Sequence, residues 1–200
     1  MLEQLINLIA PHECLVCKKE GSLLCNYCRN DMPAVSPNCY RCTAFCGTGL
    51  LCAVCRPAVA FQQFVAVTPY KGTAKDLIYR LKYGRACAAA GIIAQSLAGE
   101  LDDSYRQAIV THIPTANTRV RQRGYDQAEY IARQVAALSG LPYRALLART
   151  GQQRQVGSTK EVRHRQLGRA FRAIHPHAVR QNQILLIDDV STTGATVEAA

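Results

Sequence analysis

The stretch ILLIDDVSTTGATVEAA, residues 184–200, decides the fold. Its apolar run predicts a buried strand, and the strand ends at two adjacent acids, Asp188 and Asp189. Neighbouring carboxylates repel each other and need solvent or hydrogen-bond partners. Small hydroxyl residues and Gly194 follow at once, which lets the backbone approach a ligand closely. This combination predicts a small ligand that offers hydroxyl groups to the acids and an anion to the loop.

A ribose 5-phosphate group meets both requirements. Its neighbouring hydroxyls suit paired carboxylates, and its phosphate suits the free N–H groups of the helix predicted to begin at residue 194. A Walker-B-type strand also ends in acids, but it requires a GxxxxGK[ST] loop that this sequence does not contain. A buried strand followed by a plain polar turn would leave the charge repulsion and the hydroxyl run without a reason.

Upstream of this stretch, predicted strands alternate with predicted helices. Apolar runs predict strands at 61–70, 108–114, 144–149 and 183–190, and helical spacing predicts helices at 72–84, 87–101 and 126–140. Asp126, with Glu129 three residues later, is the expected N-cap of the last of these helices. Alternating strands and helices predict an α/β fold with an open, largely parallel sheet, in which ligands lie at the carboxyl ends of the strands.

Cysteine spacing predicts a separate metal-binding domain before this sheet. Four CxxC pairs occur in the first 55 residues, and two such pairs complete a tetrahedral thiolate shell for Zn²⁺. Pairing in sequence order gives two zinc ribbons; an interleaved pairing, first with third and second with fourth, uses the same residues. We expect structural zinc because so short a segment buries little core by itself. The predicted ligands are Cys14, Cys17, Cys25, Cys28, Cys39, Cys42, Cys52 and Cys55.

The positive charge is concentrated in one part of the chain. The net charge is +10, and residues 119–172 hold twelve Lys and Arg against three Asp and Glu. Such a block attracts polyanions, either a pyrophosphate group or a nucleic acid, although a solvated basic surface has the same composition. No apolar run reaches the ~20 residues of a membrane helix, and no export signal is evident. We therefore expect a cytoplasmic protein without membrane insertion.

Several motifs together resemble one known family. The ILLIDDVSTTGAT segment looks like the ribose-phosphate signature of type I phosphoribosyltransferases. The CxxC pairs, YKGTAKDLIYRLKY at 70–83, IPTANTRVRQRGYDQAE at 113–129 and QVGSTKEVRHRQLGRAF at 155–171 extend the resemblance to the ComF family. The resemblance implies a type I phosphoribosyltransferase-like sheet at residues 59–200, preceded by a four-cysteine zinc-ribbon domain at residues 1–58.

The resemblance also implies roles for individual residues. Asp188 and Asp189 would be the catalytic acids that hold the ribose hydroxyls of phosphoribosyl pyrophosphate, with Mg²⁺ bridging its oxygens. Pro114 and Thr115 would belong to the pyrophosphate loop, and Arg149 and Arg163 to a basic loop that closes over the pyrophosphate. The 5-phosphate would be held by Ser191, Thr192, Thr193, Gly194, Ala195 and Thr196.

Two kinds of function fit this resemblance. One is a phosphoribosyltransferase, in which a nucleophile displaces pyrophosphate, acting in nucleotide metabolism or in DNA uptake during natural transformation. The other is a non-catalytic sensor, or a protein that binds single-stranded DNA beside a ComF helicase-like partner, with a retained phosphoribosyl site. Relatives often carry asparagine where this chain has Asp126.

Overall fold

The computed structural model of the protein describes residues 12–47, 50–84, 87–150 and 170–200, without the side chain of Cys87. Short 3₁₀ turns occur at Arg56–Ala58 and Asp103–Tyr105. The helices are α1 (Asn26–Asn30), α2 (Gly72–Tyr83), α3 (Cys87–Ala98), α4 (Asn117–Arg123), α5 (Gln127–Ser139), α6 (Pro176–Gln181) and α7 (Ala195–Ala199). The strands are β1 (Ile109–His112), β2 (Leu147–Arg149), β3 (Phe171–Ala173) and β4 (Ile184–Ile187).

Strands β1 and β4 form a parallel pair at the centre of the fold. Their register runs from Ile109 opposite Ile184 to His112 opposite Ile187. On the other edge of β1, the N–H of Val110 donates to the carbonyl of Pro142 at 2.9 Å, and the N–H of Arg144 donates back to the carbonyl of Val110 at 3.0 Å. Strand β2 pairs separately with β3 in the antiparallel sense. The fold is therefore mixed α/β with a small parallel sheet.

The two faces of β4 pack against two different apolar clusters, because successive side chains of a strand point to opposite sides. Ile187 joins Val110 and the buried faces of α2, α3 and α5. Leu186 instead contacts the cluster of Ile113 and Phe171 on the other face. Alanines of α3 pack on α5, and small side chains let two helices approach closely. These contacts anchor the strand that carries the paired acids.

The first cysteine segment shares the main core. Leu23, Leu24 and the buried thiols of Cys14 and Cys28 belong to the same apolar cluster as Leu77 of α2. The cysteine segment and the α/β region are thus joined by continuous apolar packing.

Helix predictions agree with the structure at α2, α3 and α5. Asp126 caps α5 by accepting from the N–H groups of Ala128 and Glu129, and Gly140 ends it in the left-handed conformation. Predicted strands at 108–114, 144–149 and 183–190 contain β1, β2 and β4. The predicted strand at 61–70 is wrong, because this segment has no strand. Among the described residues no strand pairs with it, and β propensity takes effect mainly through cross-strand contacts.

Across the described part of the chain, no helix combines the length and the apolar character needed to cross a membrane. The N-terminal residues 1–11 lie outside the described residues.

Candidate functional site

Polar residues from two neighbouring strands meet at one edge of the parallel sheet. Parallel strands present their carboxyl ends at the same edge, and the N–H of Ile113, just after β1, donates to the carbonyl of Ile187 at 3.0 Å. The residues that follow β1 form the turn at 114–116, and those that follow β4 are Asp188 and Asp189. The structure thus brings the predicted pyrophosphate turn and the predicted ribose acids to the same edge.

The two acids are half-buried and differ in their environments. The backbone N–H of Asp189 donates to Oδ1 of Asp188 at 2.8 Å. Oδ2 of Asp189 lies 2.5 Å from Nζ of Lys82 at the end of α2. This ion pair is the polar contact of Oδ2, which accepts no regular hydrogen bond from the described residues. Burial, and then the charge of Asp189, raise the pKa of Asp188 to about 7. Lys82 therefore compensates the charge of Asp189, while Asp188 titrates near neutral pH.

Both acids line a cleft of about 990 Å³. The segment 60–70 and one side of β4 form much of its wall, and aromatic residues Phe61 and Phe64 contribute to it. A cleft of this size accommodates a small molecule. The acids accordingly have a space into which a ligand can enter, although one of them is already ion-paired.

The loop after the acids has small, mostly exposed side chains. Ser191, Thr192 and Thr193 are exposed, whereas Gly194 is buried and left-handed, with φ of +75°. Ala195 and Thr196 begin α7, which has five residues. So short a helix supplies only part of the dipole that the sequence suggested, so an anion at this loop would depend mainly on the loop's hydroxyls and amides.

The turn at 114–116 is held by Asp126. Its carboxylate accepts from the backbone N–H of Thr115 at 2.7 Å and from the Thr115 hydroxyl at 2.9 Å, in addition to capping α5. His112 lies beside it, with Nε2 4.0 Å from Asp126 and Nδ1 2.9 Å from the Tyr143 hydroxyl. Burial lowers the pKa of His112 despite the nearby carboxylate. The sequence predicted only the cap and not this second role.

Arg149 also reaches this edge. Its Nη1 donates to the carbonyl of Pro114 at 3.4 Å, and its guanidinium lies 5.2 Å from the centre of the Phe171 ring. Arg149 and Pro114, both predicted to bind pyrophosphate, are therefore neighbours. Arg163 and the rest of residues 151–169 lie outside the described residues.

The cysteines form two groups in sequence order. Within each group the four Sγ atoms lie within 4.8 Å of one another. This grouping rules out the interleaved pairing, because the pairs that it would join are in different groups. The groups are Cys14, Cys17, Cys25 and Cys28, and Cys39, Cys42, Cys52 and Cys55.

The sulfur geometry fits zinc. Measured Sγ–Sγ separations are 3.8 Å for Cys14 and Cys25, and 3.6 Å for Cys42 and Cys52. A tetrahedron with Zn–S bonds of about 2.3 Å has edges of about 3.8 Å. Hydrogen bonds from backbone groups, led by Cys52, lower the pKa of the Cys39 thiol to about 6, whereas a hydrogen bond with Cys42, and then burial, raise the pKa of Cys55 to about 12. On their sulfur geometry, both groups could hold a structural metal ion.

No family model, curated protein or solved structure matches the chain. A proposal for the function therefore has to rest on the side chains that meet at the sheet edge.

Proposed function

We propose that the protein binds phosphoribosyl pyrophosphate at the carboxyl-end edge of β1 and β4, as a ComF-type protein related to the type I phosphoribosyltransferases. One observation carries the proposal: the turn at 114–116 and the acids at 188–189 lie at the same edge of the parallel pair. We also propose that each cysteine group binds one structural Zn²⁺ ion.

The ribose would be held by the two acids. Vicinal hydroxyls are hydrogen-bond donors, and adjacent carboxylates can accept from both at once. Lys82 already forms an ion pair with Asp189, with Nζ 2.5 Å from Oδ2. The 5-phosphate would lie against the backbone and hydroxyls of residues 191–194, where small side chains permit close approach.

The pyrophosphate would lie against the turn at 114–116 and the basic residues beside it. Thr115 is fixed by Asp126, and Arg149 already contacts the turn. Arg119 and Arg121 of α4 are exposed immediately after it. Mg²⁺, when bound with the substrate, would neutralise part of the pyrophosphate charge.

The reaction that suits these groups is pyrophosphate displacement at the anomeric carbon. The bond from that carbon to the pyrophosphate oxygen breaks, and a bond to the incoming nucleophile forms, through an oxocarbenium-like state. Guanidinium groups at the turn would stabilise the charge that develops on the leaving pyrophosphate. The acids would hold the ribose in place as its anomeric carbon changes geometry.

A second candidate is binding of single-stranded DNA, which one exposed feature favours. Tyr79 and Tyr83 of α2 are 63% and 62% exposed, and their ring centres lie 4.9 Å apart. The guanidinium of Arg123 lies 5.5 Å from the Tyr83 ring centre. Exposed aromatic rings can stack on the bases of single-stranded DNA, and neighbouring cations can contact its phosphate backbone. In a cell this function would serve natural transformation, beside a helicase-like partner.

A thermal-shift titration tests the first candidate. Phosphoribosyl pyrophosphate with Mg²⁺ should raise the Tm of the intact protein, and the double variant Asp188→Ala/Asp189→Ala should lose the shift. The matched control is Asp102→Ala/Asp103→Ala, a second pair of adjacent acids that precedes β1 at its amino end. Absence of a shift in the intact protein would contradict phosphoribosyl binding in either form.

Two further measurements separate an enzyme from a binding protein. Pyrophosphate release in the presence of a panel of nucleobases favours the transferase. Salt-sensitive binding of single-stranded DNA that survives the change of Asp188 and Asp189, but is lost in Tyr79→Ala/Tyr83→Ala, favours the second candidate.

A further inference from the structure

The second cysteine group contacts the loop that follows β4. The turn between Cys39 and Cys42, here called the second knuckle, contains Tyr40 and Arg41. The Tyr40 hydroxyl donates to Oε1 of Glu198 in α7 at 2.8 Å, and Nε of Arg41 lies 3.2 Å from the same oxygen. One carboxylate oxygen of α7 is thus held by two adjacent residues of the knuckle.

The Tyr40 ring also covers Gly194. A Cβ atom built on Gly194 would lie 2.3 Å from Cε2 of Tyr40 and 2.8 Å from Cδ2, distances that no side chain tolerates. The φ of +75° independently disfavours any other residue. Glycine is therefore required at this position both by the close contact with Tyr40 of the knuckle and by the left-handed turn itself.

Tyr40 is fixed from its own side too. Its ring stacks on Phe64 with centres 4.7 Å apart, and its backbone N–H donates to the carbonyl of Leu50 at 3.0 Å. The N–H of Thr43 closes the turn on the carbonyl of Cys39 at 2.9 Å. In the described part of residues 39–55, the buried apolar side chains are Cys39 and Leu51. So small a core leaves the knuckle's shape dependent on metal binding by its thiolates.

We propose that Tyr40 and Arg41 are positioning residues for the sugar-phosphate loop. They hold Gly194 and Glu198, and so the loop at 191–194, in the conformation that binds phosphate. Metal binding by Cys39, Cys42, Cys52 and Cys55 and ligand binding at the loop are then linked, and each raises the affinity for the other. The linkage to a sugar phosphate rests on the proposed function, whereas the contact itself does not.

Hydrogen exchange tests the contact without any ligand. In the zinc-loaded protein, Tyr40→Ala should speed amide exchange at residues 191–200 by about tenfold, because the loop loses its cover. Tyr40→Phe keeps the ring on Gly194 and loses only the hydroxyl bond, so it should have a smaller effect. The matched control is Tyr27→Ala, which alters an 81% exposed tyrosine between Cys25 and Cys28 of the first group. Zinc content is measured for every variant.

Ligand binding and zinc release test the linkage. Tyr40→Ala should weaken phosphoribosyl pyrophosphate binding by about tenfold, a common size for such coupling, and Tyr27→Ala should not. In the intact protein the ligand should slow the release of one of two zinc ions to a chromogenic chelator, and Asp188→Ala/Asp189→Ala should abolish this slowing. The double variant also controls for zinc binding by the pyrophosphate itself.

The outcomes are distinguishable. Unchanged exchange in both Tyr40 variants overturns the positioning role. Faster exchange together with normal ligand affinity overturns the linkage. Faster exchange in a protein whose wild type binds no phosphoribosyl pyrophosphate leaves the contact established and overturns the proposed function instead. If Tyr40→Ala does not fold, Tyr40→Phe and Glu198→Gln provide the same comparison.

Discussion

Asp188 and Asp189 show how one residue pair can bear adjacent charges inside a fold. Lys82 compensates Asp189, while Asp188 accepts a backbone hydrogen bond and is left with a raised pKa of about 7. Burial that raises the pKa of an acid costs stability, and it is common where a ligand later supplies the missing hydrogen-bond partners. The hydroxyls of a ribose would supply them here.

Asp188 makes the stability of the protein dependent on pH. Its folded-state pKa of about 7 exceeds the ordinary value of 3.8. The folded protein therefore keeps a proton that the unfolded chain has lost, and the free energy of unfolding contributed by this group falls as the pH rises from about 4 to about 7. We expect Asp188→Asn to reduce the change in the free energy of unfolding across this pH interval. The variant should be about 1–3 kcal/mol more stable than the wild type at pH 8, allowing for partial exposure. Urea unfolding across this range measures it.

The control for this prediction is Asp103→Asn, which alters an exposed acid that pairs with Arg106. It should leave the slope between pH 4 and 7 as in the wild type. An Asp188→Asn variant with an unchanged slope would show that Asp188 titrates normally.

At the scale of elements, Asp126 joins helix α5 to the turn after β1. It caps the helix and holds Thr115 with two hydrogen bonds. We expect Asp126→Ala to lower the free energy of unfolding by about 1–2 kcal/mol through the lost cap. It should also weaken phosphoribosyl pyrophosphate binding, because the turn at 114–116 loses its anchor. Calorimetry of unfolding and of binding measures both effects.

Two variants give this prediction its controls. Asp126→Asn retains an acceptor for the helix N–H groups and should recover most of the stability. Asp102→Ala removes an exposed cap from a 3₁₀ turn that precedes the opposite, amino end of β1, and it should leave binding unchanged. Normal binding by Asp126→Ala would mean that the turn does not contact the ligand.

Local signals explain which elements the sequence predicted. Helices α2, α3 and α5 have apolar spacing and end signals within their own segments. The CxxC spacing identified the eight cysteines, whereas their sequential grouping came from the structure. The strand predicted at 61–70 fails because strand formation requires a partner that local sequence does not specify. The contact of Tyr40 with Glu198 spans 158 positions. No local pattern encodes such a contact, so the contact that supports the loop at 191–194 emerged only from the fold.

At the scale of the molecule, the two cysteine groups have different neighbours. The thiol of Cys14 belongs to the main apolar cluster with Leu24 and Leu77, whereas Cys39, 1% exposed, lies outside both apolar clusters of the described residues. The first group is therefore part of the core that the whole fold shares. The second group instead contacts the loop at 191–194 through Tyr40.

These neighbours predict different consequences for the loss of one cysteine from each group. Cys14→Ser should lower the Tm by about 5 °C or more, because loss of metal there loosens packing against α2. Cys39→Ser should lower it by less and should instead speed amide exchange at 191–200. The two variants are matched, since each removes one buried thiol, 0% or 1% exposed, from a four-cysteine set. Scanning calorimetry with zinc quantification measures the first effect, and equal losses of Tm with unchanged exchange would contradict this division of roles.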